Sequence, residues 1–587
     1  MRLISDTSKN WKTNSGRILA MTDKLLFKES KNENLWAAIR DDEAYASFRE
    51  NLSEAWKFTE EKTFLPLEYE MFTEYMRGCN SNRYGKEYYG RRLGLNASFM
   101  SYMIYREEKY LKKLEEIIML ILGEYTWAVP AHIKELTDCE TVSTFIDLFA
   151  AETGHALSEI LYILGDKLDV RIQSRIRYEI DRRIISSILK NRFHFEESVS
   201  NWATVCAGSV GMTFLYMAPE KFSLIRDRII SCINNYIGFF GNDGACAEGA
   251  GYWLYGFGYY IYFEELYKEF SGSYLVPMTE KQKKIAMFLQ KVHINGNRVI
   301  SFSDCNATEF LTNGIVCRVN EIFGDDVKIL PEDAYAPPVM GGDNCYRFAH
   351  CIRNFLWHNP KKMPKTMTFS NEKIYLEDAQ WYIRKTNKYF FAAKGGGNSD
   401  PHNHNDVGSF IVSDYTNQLL ADLGKGEYDK FYFNPETRYN NLCCSSRGHS
   451  LPIVDGIEQS PGESFRAKSV EQSDNRFRLD IADAYDDANL MSLVRTFDFA
   501  ENAITLTDEI SQKCNTEWIS RLVSTIEPCI EGTNVVIGNM KIQNNLDIVP
   551  EISVGEVTAH SMDGLKYPVY LIDYKTSQRR VELKFEF

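Results

Sequence analysis

The sequence has no excess of basic charge: over 587 residues, 67 Lys and Arg stand against 81 Asp and Glu, a formal net charge of -14. Such a chain offers no general surface to nucleic acid or to an anionic membrane, and a polyanionic ligand needs a local basic cleft. The 13 cysteines, with Cys443 and Cys444 adjacent, show neither the spacing of a disulfide framework nor a CxxC zinc module, so they read as reduced, mostly packed thiols. The opening MRLISDTSKNWKTNSGR contains no apolar stretch of signal-peptide length, and nothing later approaches an uninterrupted membrane span. These absences predict a cytoplasmic protein, secreted only if a leader was removed, with no nucleic acid and no membrane as partner. There is no readable internal repeat and no low-complexity tract. The length exceeds what one hydrophobic core normally serves, which predicts two or more domains.

What is present divides the chain in two. In EKYLKKLEEIIMLILGEYTW, Leu111, Leu114, Ile118 and Ile121 recur at the spacing of one helical face. In DVRIQSRIRYEIDRRIISSILKN, Ile172, Ile176, Ile180, Ile184 and Ile188 repeat every four residues among arginines and acids. Similar patterns over 141–164, 202–217, 221–240 and 252–268 predict an array of antiparallel helical hairpins. The breaker cluster PEDAYAPPVMGGDN, residues 331–344, marks the boundary, giving a helical domain over 1–335 and a β domain over 345–587. Beyond it come KYFFAAKGG, GSFIVSDY, NQLLADLG, SLPIVDG, FRLDIADAY, LVRTFDFA, AITLTDEI and RRVELKFEF. These are short β-branched or aromatic runs between turns, and they predict layered antiparallel sheets. The expected fold class is therefore multidomain α+β.

Histidine is scarce too, ten in all, yet two stand two apart in DPHNHNDVGSF. If Asn403 to Phe410 forms a strand, His402 and His404 point the same way. Asp422 closes LLADLG and His449 opens HSLPIVDG, so a hairpin-like sheet could bring both beside His404. Two neutral imidazoles and one carboxylate suffice for a zinc shell, and such nitrogen ligands suit zinc better than magnesium or calcium. The bland alternative is loop histidines satisfied by backbone carbonyls. In GNDGACAEGAGYWLYGFGYY, Glu248 precedes a helix whose Tyr252, Tyr255 and Tyr259 form one stripe, read either as core or as a sugar-stacking surface. In ESVSNWATVCAGSVGMTF, Asn201 stands directly before an apolar helix, where capping is its ordinary role. Asp304, in SFSDCN, reads as a turn or cap residue without a functional role.

Taken in order, NW before an apolar helix, EGAGYWLYG, and HNHNDVGSF with ADLG and a later GH resemble the heparinase II/III-like polysaccharide lyases. The resemblance implies an incomplete (α/α) toroid followed by an antiparallel β-sandwich domain, with the active cleft between them. It implies β-elimination of a glycan at a uronic acid, leaving a 4,5-unsaturated product. His404, Asp422 and His449 then correspond to zinc ligands and His402 to a catalytic histidine. Asn201 corresponds to the residue facing the uronate carboxylate, and Tyr252 to the tyrosine acid/base, with Tyr255 one turn along as its rival. The metal, zinc or another divalent transition ion, would hold the strand that aims His402 instead of activating water. The implied partner is an anionic uronate-containing oligo- or polysaccharide, a glycosaminoglycan or alginate-like polymer. The oligomeric state stays open, a homodimer included. A metal-dependent glycan hydrolase and a non-catalytic carbohydrate-binding protein on the same scaffold are the alternatives. Ser450 departs from the asparagine that often follows the second zinc-site histidine. Tyr428, Tyr432 and Tyr439 read as packing before subsite residues, and Arg83, Lys86, Arg91 and Arg92 as solvated charges before substrate contacts.

Overall fold

Apart from a small β pair, His293–Asn295 with Arg298–Val299, helices run from Glu33–Asp41 to Phe348–Leu356 and strands from Glu372–Leu376 to Arg580–Glu586. This is the architecture of a computed structural model that describes residues 24–78, 82–366, 371–429, 431–560 and 565–587. The first 17 residues, read above for a leader, lie outside the described residues.

The helical periodicities become buried seams. Ile172, Ile176, Ile180, Ile184 and Ile188 are all buried, along the helical stretch from Val170–Ile180 to Ser186–Lys190. Helix Asn201–Met217 carries apolar or small residues on every side, the signature of a helix surrounded by protein. Every residue of it except Trp202 is buried. It packs between Leu148–Leu164 and Ala250–Ser271, and the three share one apolar cluster. The helical part continues past the 331–344 breaker cluster, since Phe348, Ile352 and Phe355 of Phe348–Leu356 belong to that same cluster.

The eight sequence runs singled out beyond residue 345 all contain strands. Glu372–Leu376, Trp381–Lys385, Phe390–Lys394, Phe410–Ser413 and Gln418–Leu420 form a five-stranded antiparallel meander in chain order. In register, Ile383 pairs with Ala392 and Ala392 with Ile411. Successive residues alternate between two cores. Trp381, Ile383, Phe390, Ala392 and Ile411 face the helical cluster, while Tyr382, Phe391, Ala393, Phe410 and Val412 face a second cluster shared with the eight-stranded sheet. A strand covered on both faces reads as a continuous apolar run, which is why YFFAA shows no polar alternation. Burying each of the three phenylalanines contributes roughly 1.5–3 kcal/mol. A four-stranded sheet that includes Pro452–Val454 and Trp518–Ser524 completes the β part. The architecture is thus an incomplete helical toroid followed by an antiparallel β-sandwich. Among the described residues no helix is long and apolar enough to cross a membrane, and every described cysteine is free.

Candidate active site

A cavity of about 570 Å³ lies where the helical toroid meets the sheets. Asn201, Trp202, His132, Tyr252 and Tyr255 line it from the helical side; His402, Lys425, Tyr428 and Phe433 line it from the other.

Asn201 does not cap its helix. Ser200 occupies the cap position, and Asn201 is the first helical residue, with its Oδ1 buried and without a hydrogen-bond partner among the described residues. A buried amide oxygen left unpaired costs about 1–3 kcal/mol; Asn201 lines the cavity, and this oxygen is an acceptor suited to a donor such as a hydroxyl, not to an anionic group.

Tyr252 and Tyr255 both reach the cavity but have different neighbours. The Tyr252 hydroxyl bonds Tyr428 Oη at 2.9 Å and lies 3.4 Å from His402 Nδ1, and its ring lies over the His402 imidazole with centroids 4.4 Å apart. Tyr255 is clamped: it donates to Glu152 Oε1 at 2.6 Å and accepts from Arg347 Nη1 at 2.6 Å. Arg347 is itself committed to Glu152 at 2.5 Å and to Asp343 at 2.9 Å. Burial, with the Asp304 charge next, holds the Tyr252 phenol well above the ordinary tyrosine range, so it rests protonated.

Asp304, assigned to a plain turn from sequence, is instead the hub of the site. His402 Nδ1 donates to its Oδ2 at 2.7 Å and His404 Nε2 to its Oδ1 at 3.0 Å. Arg438 Nη2 reaches both oxygens at 3.2 Å, and the Tyr432 hydroxyl donates to Oδ1. Burial alone would raise this carboxyl, but the bonds from His402 and His404 and the Arg438 charge outweigh it and hold it well below the usual range. The two histidines do converge, though not through a strand. The strand begins only at Phe410, and His402 sits in the left-handed region at φ 60°, so a turn brings both rings to one carboxylate.

His404 Nδ1 is buried without a hydrogen-bond partner among the described residues. His449 lies alongside, ring centroids 5.4 Å apart, and its Nδ1 meets Asp422 Oδ2 at 3.1 Å. Ligand atoms of His404, Asp406 and His449 lie within 4.8 Å of one another, as do those of Asp304, His404 and Cys444. Asp304 already has Arg438 against it, and Asp406 has Lys394 Nζ at 2.7 Å, so neither carboxylate is the natural seat for a further cation. Burial would lower the His404 imidazole, but Cys444 and Asp304 push it up to about 10.

The remaining sequence candidates sort cleanly. Tyr432 is buried against Asp304, and Tyr439 Oη bonds Asn403 Oδ1 at 3.4 Å, whereas Tyr428 lines the cavity. Arg91 and Arg92 pair with Glu124 at 3.0 and 2.6 Å, and Arg83 lies exposed near Glu74, so none of them lines the cavity. Ser450 accepts the Val523 N–H on its Oγ at 3.0 Å. Glu248 is buried, its Oε1 has no hydrogen-bond partner among the described residues, and burial pushes it up to about 7 against the opposing pull of His402. The role of Asp304, read from sequence as a turn or cap between Ser303 and Cys305, had no local signal, and His132, which also lines the cavity, stood in no motif.

No family model and no curated protein matches this sequence. Solved structures do. A mutant of the heparan sulfate lyase HepC from Pedobacter heparinus superposes with a TM-score of 0.58 at 13% identity, covering 96% of this chain and 92% of that one. A heparinase III superposes with a TM-score of 0.57 at 12% identity over 96% and 94%. The Streptomyces coelicolor A3 chondroitin AC lyase, in complex with chondroitin sulphate, gives 0.53 at 9% identity over 95% and 82%. The chain has the fold of these lyases along nearly its whole length.

Proposed function

We propose that this protein is a lyase that cleaves uronate-containing glycans, glycosaminoglycan or alginate-like, by β-elimination to 4,5-unsaturated products. The observation that carries the reading is the convergence of Asn201, Tyr252 and His402 on one cavity between toroid and sheets. The fold shared with heparan sulfate and chondroitin lyases supports it.

The chemistry asks for these residue types. The proton at C5 of a uronate is adjacent to a carboxylate, and while that group keeps its full charge the carbanion is too costly to form. Preorganised donors such as the Asn201 amide, in a water-poor cleft, are worth roughly 3–4 kcal/mol each toward the enolate-like intermediate. With its Nδ1–H held by Asp304, His402 leaves Nε2 as the free acceptor for the C5 proton. Tyr252, kept protonated by burial, is the acid that delivers a proton to the departing oxygen at C4.

In the same reading His404, His449 and Asp422 hold a zinc or another divalent transition ion. The His404 Nδ1 without a partner among the described residues and the contact between His449 and Asp422 support that assignment, while the compact group around His404 and His449 has Asp406 in the place of Asp422. Such an ion would fix the turn carrying His402 and His404, since elimination consumes no water. Elemental analysis of protein purified without chelator should find about one equivalent; its absence would remove the metal and leave the lyase reading intact.

The decisive experiment incubates the protein with a panel of uronate polymers and follows ultraviolet absorbance from the conjugated double bond. Growing absorbance is the expected result. New reducing ends without absorbance would make the protein a hydrolase, and neither signal would make it a carbohydrate-binding protein.

A further inference from the structure

The aromatic run from Lys425 to Asn441 contributes one side chain that the chemistry above leaves unused. Phe433 lines the cavity and stays 53% exposed, although Tyr432 before it is fully buried. A solitary exposed phenylalanine is ordinary on a protein surface. This one stands against the imidazole that serves as base in the lyase reading: its ring meets His402 edge to face, centroids 5.6 Å apart, while Tyr252 lies over the same imidazole at 4.4 Å.

Many contacts fix its position. The rings of Tyr428 and Tyr432 meet it at 4.7 and 5.2 Å, both edge to face, and the Arg438 guanidinium lies over it 5.8 Å from the centroid. The backbone on either side is tied down. Asp429 Oδ1 accepts the N–H groups of Phe431 and Tyr432 at 2.9 and 3.0 Å, Thr437 Oγ1 donates to the Phe431 carbonyl at 2.7 Å, and the Asn434 carbonyl accepts from Thr437 and Arg438. Tyr432 and Arg438, which bracket Phe433 in the chain, both bond Asp304, the carboxylate that holds His402 Nδ1. Ring and base are thereby referred to the same buried acid.

A pyranose has a polar rim of hydroxyls and an apolar face of C–H bonds, and the electron-rich face of a phenyl ring attracts those C–H groups. Ligand pockets draw contact area from such surfaces and orientation from a few polar groups. We propose that Phe433 is a substrate-binding residue, a platform that takes the C–H face of a pyranose adjoining the cleaved linkage. This assignment rests on the lyase reading above. It adds a contact blind to charge, one that grips neutral and acidic sugars alike.

The test compares three changes at this position. Phe433→Tyr keeps the ring, Phe433→Leu keeps an apolar side chain without one, and Phe433→Ala removes both. KM is measured on a uronate oligosaccharide taken from the active panel, and an inhibition constant on the same oligosaccharide with its carboxyl groups reduced to alcohols. Phe433→Ala and Phe433→Leu should raise both constants by about fivefold or more and by the same factor, with kcat within about twofold of wild type; Phe433→Tyr should leave both constants within about twofold. If Phe433→Ala folds poorly, the other two carry the comparison. Phe433→Leu matching wild type, a loss confined to the acidic ligand, or a fall in kcat at unchanged KM would each overturn the proposal, because the ring would then only pack behind His402. In those events the absorbance assay on the wild-type chain still stands by itself. A wild-type chain that produces no absorbance from any uronate polymer takes down both readings.

Discussion

At the scale of single residues, the two tyrosines one helical turn apart separate by their partners. Tyr252→Phe removes the hydroxyl shared with Tyr428 and His402, and should lower kcat by at least about 10²-fold while the unfolding midpoint stays put. Tyr255→Phe breaks two bonds in the Glu152 and Arg347 clamp, and should cost about 1–2 kcal/mol of stability while turnover largely survives. A reversal of that pattern in steady-state kinetics and thermal melts would hand the acid role to Tyr255. Glu248 gives a pH signature. Its folded pKa of about 7 lies above the ordinary 4.5, so across that window the native state keeps a proton that the unfolded chain releases. Stability from this group is present at acid pH and lost as pH rises from about 4.5 to 7, by about 3 kcal/mol at most. Glu248→Gln should therefore match the wild type in denaturant titrations near pH 4.5 and exceed it at pH 8; parallel curves would contradict the shift. Asn201, Tyr252 and His402 were legible because each sat in a motif with a recognisable neighbour. Asp304 and His132 were not, because what singles them out is contact with residues about 100 and 15 positions away, His402 and Asp147, which no local pattern records.

At the scale of elements, the segment around Cys305 is wedged between the two halves. Gly249, at φ 95° before helix Ala250–Ser271, would place a Cβ 2.4 Å from Cys305 Cβ; Gly424, at φ 62° after the Gln418–Leu420 strand, would place one 2.1 Å from the Cys305 carbonyl oxygen. Either position rejects a side chain twice, by backbone conformation and by space. Gly424→Ala should lose at least about 2 kcal/mol in chemical denaturation and depress turnover along with it, because the displaced segment carries Asp304. Full activity in a destabilised Gly424→Ala protein would show that Asp304 tolerates the shift. The elements themselves were largely written in periodicity, isoleucines every four residues for helices and YFFAA for a doubly covered strand. The segment 403–409 was the exception. Its alternating polar residues imitate a strand, but they fold as a turn because their side chains bond across to other loops: Asn405 Nδ2 to the Gln459 carbonyl at 3.0 Å, and Gln459 Oε1 to the Val407 N–H at 2.9 Å.

At the scale of the whole molecule, a net charge of -14 opposes the approach of a polyanion. The cavity wall tempers this only in part, since Arg347 is neutralised by Glu152 and Asp343, and Lys425 shares the lining with Glu309 and Glu427. For long anionic polymers kcat/KM should therefore rise by a few-fold as ionic strength goes from about 10 mM to about 150 mM, where screening acts within roughly 8–10 Å. A steep fall with salt instead would reveal a basic field around the cleft that the described residues do not suggest. The Asp304 hub bears on the same scale. Its chain neighbours Phe302 and Cys305 are rooted in the toroid's core, while the imidazoles it orients belong to the sandwich. Under the proposed function, the carboxylate that aims the base thus comes from the opposite half of the molecule, so the base is aligned only while the helical ring and the sheets keep the contact seen here.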